Sequence, residues 1–232
     1  IVGWVWKGGG TPVSNTDGSI TSSVSANTAA GFSIVSYTGT STIGDTIGHG
    51  LGTPDLIIVK NRDNSSASWA VWSSTFSAAS ETLLLDATSP SNQYTNRFGT
   101  VNSTTFQAGS SGGTEVNASG NKFITYIFKN VTGYQKIGSY SGGSSGKQIT
   151  GVGFKPNFLA IKRTDSAGGW RVQDVRRKGT SGTNKNVLEW NDPAIEQVNY
   201  VDVSFDTDGF TLNTTNNDYN NSSGTYIYLA IK

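Results

Sequence analysis

Cysteine and methionine are both missing from this 232-residue chain, histidine occurs once, proline five times, and only 14% of the residues are charged. The first absence excludes disulfide scaffolds, thiolate metal sites and cysteine nucleophiles. A single histidine leaves an imidazole-dependent triad with one base, His49, and gives zinc no second His ligand. Soluble domains carry about 25% charged residues. Here Ser, Thr, Asn and 29 Gly stand in for the missing charge, which is the usage of a β-rich, turn-rich protein. The net charge of +1 divides as −1 before Thr132 and +2 after it, so neither half looks directed at nucleic acid. No apolar run approaches the ~18 residues that span a bilayer, so membrane insertion is not expected. Residues 1–10 lack the charged start and apolar middle of a signal peptide. With no Met at position 1, Ile1 is expected to mark a processing site or the start of an excerpt from a longer chain.

What is present, twice, is one pattern. Gly31-Phe32 with Ile34 to Gly39 (IVSYTG) recurs as Gly133-Tyr134 with Lys136 to Gly142 (KIGSYSG). Pro54 to Asp63 (PDLIIVKNRD) recurs as Pro156 to Asp165 (PNFLAIKRTD), and Ser68 to Val71 (SWAV) as Gly169 to Val172 (GWRV). The copies close alike, with Thr105-Phe106 against Gly209-Phe210 and FITYIFK at 123–129 against YIYLAIK at 226–232. Residues 2–7 (VGWVWK) resemble the same closing segment a third time. The expected organisation is therefore a closing strand of a preceding unit at 1–7, a linker at 8–30 rich in Gly, Ser and Thr, a first repeat at 31–129, a junction at 130–132 and a second repeat at 133–232.

Within each copy short runs of period two alternate with turn residues, and no window of helical length holds a 3.6 period. Expected strands are 32–38, 56–61, 68–73, 82–86, 104–108 and 122–129 in the first copy. In the second they are 135–141, 158–163, 170–175, 186–190, 209–213 and 225–232, with a further strand at 198–205. Leu56 to Val59 and Phe158 to Ile161 are wholly apolar, as central strands covered on both faces would be. Short helices at 78–85 or 193–198 are the rival reading. The fold class is all-β: two tandem, homologous β-sandwich or jelly-roll-like domains.

Candidate chemistry is sparse. His49 sits in a Gly-rich turn (GHGLG) whose partner in the second copy carries Val152, which favours a structural role. Asn15-Thr16-Asp17-Gly18 and Asp206-Thr207-Asp208-Gly209 echo calcium loops but lack the rest of the ligand spacing, so they read as turns and no metal is expected. Glu81, Glu115, Glu189 and Glu196 are the pool for paired-carboxylate catalysis, and none belongs to a motif. The Gly runs lack the Lys-Ser/Thr ending of a phosphate loop. No catalytic residue and no cofactor is expected. Candidate ligand-binding residues remain: the basic cluster Arg176, Arg177 and Lys178, suited to an anionic glycan or phosphate, and the tryptophans Trp72 and Trp190 that the repeat does not match. If Trp69 and Val71 face the core, Trp72 lies on the other face, either as an exposed stacking platform or buried against the neighbouring copy.

The segments NTDGSITSSVSANTAA, GFSIVSYTG, GHGLGTPDLIIVKNRD, GFKPNFLAIKRTDSAGGW, DGFTL and SGTYIYLAIK, spanning nearly the whole chain, resemble a repeat domain of unknown function found in structural proteins of marine tailed bacteriophages. That resemblance implies a non-enzymatic virion protein, exposed on the particle as a tail-fibre, tip or appendage module for host attachment. A capsid decoration protein is the alternative location, and a carbohydrate-active depolymerase fragment the alternative of another class. The implied partners are other virion proteins, a host-surface glycan and further copies of the chain, with a trimer as one candidate.

Overall fold

A computed structural model describes residues 2–78, 80–109, 113–177 and 186–232. Among the described residues, apart from a single π-helical turn at Gly113–Asn117, the regular structure is antiparallel strand. The chain divides into two compact units.

Among its described residues unit 1 holds the strands β1 (Val13–Asn15), β2 (Ser22–Asn27), β3 (Phe32–Thr38), β4 (Thr46–Gly48), β5 (Leu56–Asn61), β6 (Ala70–Ser73), β7 (Leu83–Leu84), β8 (Phe98–Val101), β9 (Thr105–Ala108) and β10 (Lys122–Phe128). They form a seven-stranded sheet in the order β1-β2-β3-β10-β5-β6-β7 and a three-stranded sheet β4-β9-β8. Alternation sends Val35, Ile57, Val59, Phe123 and Ile127 of the large sheet into one buried cluster with Ile47, Phe98 and Phe106 of the small one, a sandwich-like core.

Unit 2 holds β11 (Gln135–Ser141), β12 (Lys147–Ile149), β13 (Phe158–Arg163), β14 (Trp170–Asp174), β15 (Leu188–Glu189), β16 (Val203–Asp206), β17 (Gly209–Leu212) and β18 (Thr225–Ile231). Its sheets, β11-β18-β13-β14-β15 and β12-β17-β16, repeat the strand order of unit 1 without the β1-β2 hairpin. Leu159, Ile161 and Tyr228 pack with Ile149, Phe205 and Phe210 between them.

The repeat extends to single hydrogen bonds. Tyr37 and Tyr140 hold the same register position; their hydroxyls donate to the carbonyls of Val116 (2.5 Å) and Tyr219 (2.7 Å). Next to those acceptors the buried Asn117 and Asn220 each accept from a backbone N–H, of Thr40 and Gly143, and donate across to the carbonyls of Thr42 and Ser144. Gly39 and Gly142 sit where a Cβ would come within 2.3 Å of the Ala118 carbonyl and 1.8 Å of the Asn221 carbonyl, so the close backbone approach requires glycine.

Three expectations about the organisation of the chain are corrected. The supposed linker at 8–30 contains β1 and β2, because Ser22 to Asn27 pairs along the edge of β3 with Val24 turned into the core, and small hydroxyl residues serve as well as apolar ones on its other face. Residues 2–7 belong to none of the four sheets; Trp6 instead packs edge-on to Phe128 at 5.7 Å. The first repeat is not one continuous unit. Leu85–Asn92 belongs to unit 2, where Lys162 Nζ donates to the carbonyls of Thr88 (3.2 Å) and Ser89 (3.1 Å), and Ser91 N–H donates to Thr164 O. Neither rival helix forms among the described residues, and several short strands escape the pattern, β4, β8 and β12 among them.

Candidate functional site

The ligand-binding residues expected from sequence are mostly committed to the fold. Trp72 pairs with Ile57 and shares the inner face of its sheet with Val59 and Ala70, partly buried against the unit's own core. It is thus not the outward-facing platform that the pattern suggested. Trp190 packs on Phe158 at 6.0 Å and Trp170 at 5.9 Å within unit 2. Arg177 is locked by Asp174 (2.7 Å) and Glu196 (2.8 Å) and donates to Val172 O. Arg176 is exposed, and Lys178 lies outside the described residues.

The acid–base candidates are equally occupied. His49 is buried, with Nδ1 accepting from Leu51 N–H (3.2 Å) and Nε2 facing Asn102 O at 3.3 Å. Desolvation pushes its pKa down and favours the neutral ring. Glu115 is paired with Arg97 and Glu196 with Arg177. Glu189 and Asp218 both grip the buried Arg171, whose guanidinium also lies 5.1 Å from the Tyr200 ring. Asp208 accepts from the N–H groups of Gly151 (3.0 Å) and Gly153 (2.6 Å), as a turn carboxylate does, and these bonds lower its pKa. No group of acidic or imidazole side chains suited to a metal ion occurs among the described residues.

The open chemistry lies on the outer face of the large sheet of unit 1. Cross-strand register aligns Ser23, Ser36, Ile124 and Lys60 in one row and Ser25, Ile34, Tyr126 and Ile58 in the next. Two shallow grooves of about 390 and 530 Å³ run over these rows and share Ser23, Ser36 and Arg62. Tyr126 stacks with Trp69 at 6.4 Å and 14°, and Lys60 Nζ lies 5.9 Å from the Trp69 ring centroid.

Two cations stand at the rim. Arg62 donates its backbone N–H to Lys122 O at 2.8 Å, which holds the two residues side by side at the end of the β5-β10 ladder. Both are exposed, both line the smaller groove, and neither joins an ion pair among the described residues. The neighbouring carboxylate of Asp63 is turned onto the backbone N–H of Lys122 (2.8 Å). The face therefore offers positive charge, hydroxyls and flat carbon surface.

Unit 2 shows what the same face is without those features. Thr164 and Thr225 replace Arg62 and Lys122, keep the 2.8 Å backbone bond, and close on each other through their hydroxyls at 2.8 Å. Ile34, Lys60, Trp69, Ile124 and Tyr126 are all partly exposed, whereas their counterparts Ile137, Lys162, Trp170, Ile227 and Leu229 are buried. The sequence carried this signal in the matched segments KNRD and KRTD, where Arg62 faces Thr164, but register was needed to bring Lys122 beside it.

A family described as a domain of unknown function (DUF7483) matches residues 1–232, both units together, and the chain belongs to that family. Neither the curated proteins nor the solved structures contain a significant match to it.

Proposed function

We propose that this member of the DUF7483 family is a non-enzymatic attachment module of a bacteriophage virion protein, displayed on a tail fibre, tail tip or capsid appendage and contacting the host surface. The observation that carries the reading is the contrast between the two units. One sheet face is buried in unit 2 and left partly open in unit 1, where it acquires a cation pair and a row of serines. A binding surface added to one copy of a duplicated scaffold fits adhesion. The resemblance of the matched segments to phage structural repeats supports the setting, and attachment through many weak contacts suits a protein displayed in several copies beside other virion proteins.

The engagement of Glu115, Glu189 and Glu196 by arginines, and of both His49 nitrogens by backbone groups, supports binding over hydrolysis. Antibody labelling of intact particles, together with retention of the purified chain on host cells, tests the reading. Surface label and retention without release of reducing sugar ends are expected. Particles that carry no label, or reducing ends released from host polysaccharide, would overturn it.

A further inference from the structure

We propose that the groove bounded by Ser23, Ser36, Tyr126, Arg62 and Lys122 takes an acidic polysaccharide, a chain bearing carboxylate or sulfate groups. This rests on the attachment reading and assigns it a ligand class. Three observations select that class.

The first is charge placed without a protein partner. Arg62 and Lys122 are adjacent across a ladder hydrogen bond and exposed, and neither forms an ion pair among the described residues, while Arg97, Arg163, Arg171 and Arg177 each hold a carboxylate. A guanidinium presents a planar fork that matches a carboxylate or sulfate, and the neighbouring ammonium adds a point charge.

The second is the floor between the strands. Ser23 and Ser36 stand opposite each other on β2 and β3, with Ile124 next in the row and Tyr126 and Ile34 in the row behind. Hydroxyls that both donate and accept, set beside an aromatic ring and aliphatic carbon, match the alternation of hydroxyl edge and C–H face on a pyranose chain. An open groove of this size admits a chain passing through and leaves it solvated on one side.

The third is the internal control. Unit 2 keeps the backbone of the same rim and replaces both cations by a self-satisfied threonine pair, so the charges are not required to build the sheet end. The β1-β2 hairpin that supplies Ser23 is likewise absent from its sheet.

The test uses the full chain and three probes: alginate as a polyuronate, uncharged dextran, and single-stranded DNA as a polyanion without pyranose rings. The R62T/K122T double variant installs the residues unit 2 uses at these positions, and its circular dichroism and melting midpoint are expected to match the parent. The parent should bind alginate in preference to both other probes, and the double variant should lose about tenfold or more in affinity, with the slope of log affinity against log salt reduced by up to about two. Equal binding of dextran, DNA binding as tight as alginate, or an unchanged alginate affinity in the folded double variant would overturn the assignment. So would a parent that self-associates through this face, seen as a dimer in sedimentation that the double variant lacks. Host-cell retention measured on the parent separates the two claims. If the parent is retained but does not bind alginate, the ligand class is wrong and attachment stands. If the parent itself is not retained, attachment is wrong.

Discussion

Lys162 Nζ donates to the carbonyl of Thr88 at 3.2 Å, and through that bond a segment lying inside the first repeat's sequence is fixed into unit 2. Lys60, its counterpart in PDLIIVKNRD, donates instead to Ala67 within its own unit and lies near the Trp69 ring. The same residue type on the same strand position thus tethers a local turn in one unit and a distant stretch of chain in the other.

Burial lowers the pKa of Lys162 to about 8, because a buried ammonium loses its hydration and the nearby Asp218 and Asp165 restore it only in part. A lysine whose folded pKa lies below its unfolded value binds fewer protons when folded. Between about pH 8 and the unfolded value of 10.5 the unfolded chain holds the extra proton, so stability rises with pH there, by up to a few kcal/mol. Comparison with Lys162→Met isolates this contribution from tyrosine titration. Urea unfolding at pH 7 to 10 should show the parent gaining on the variant as pH rises, and a flat or falling difference contradicts the burial argument. At pH 7 the variant should also be less stable by about 2–4 kcal/mol, since the carbonyls of Thr88, Ser89 and Arg163 lose a donor.

Trp72 should behave as a core residue. Trp72→Ala removes a large side chain packed on the unit 1 cluster and should cost about 3 kcal/mol in unfolding. Trp72→Phe should stay within about 1 kcal/mol of the parent, because the indole N–H it deletes is buried without an acceptor among the described residues. Unfolding curves check both. A Trp72→Ala protein of unchanged stability that loses host retention would restore the stacking-platform role.

The paired tyrosines give a test of the duplication itself. Tyr37→Phe and Tyr140→Phe each orphan one carbonyl, of Val116 and of Tyr219, and each should cost about 1–2 kcal/mol. Near-equal losses are expected; a large loss in one and none in the other would mean that the matched bonds do unequal work.

Acidification should weaken the fold through His49. Its folded pKa is lowered by desolvation, so below the unfolded value of 6.5 the unfolded chain takes up a proton that the buried ring does not. Stability present above that value is therefore lost as pH falls below it. The loss between pH 7 and 5 should shrink in His49→Gln, as read by thermal unfolding across that range, and an identical pH profile would contradict it.

Much of the fold was legible because the repeat supplied an internal alignment. Matched segments such as PDLIIVKNRD and PNFLAIKRTD located β5 and β13, and both are buried on both faces as their unbroken apolar runs required. The β1-β2 hairpin was not legible, since SSVSAN offers one clear apolar residue, Val24, and its strand character comes from pairing with β3. The face of Trp72 was misassigned because Val71 is also fully buried, and in a sheet apolar on both sides alternation cannot say which side is the core. The removal of Leu85–Asn92 to unit 2 left no compositional trace at all. A net charge of +1 likewise averaged away the Arg62–Lys122 pair, which exists only once register sets β10 beside β5.

The most direct measurement is amide chemical-shift mapping of the full chain titrated with a short polyuronate. The account predicts perturbations confined to unit 1, on Ser22–Asn27, Phe32–Thr38 and Lys122–Phe128 and at Arg62, with Gln135–Ser141 and Thr225–Ile231 of unit 2 unmoved. Shifts centred on unit 2, or none at saturating ligand, would contradict it.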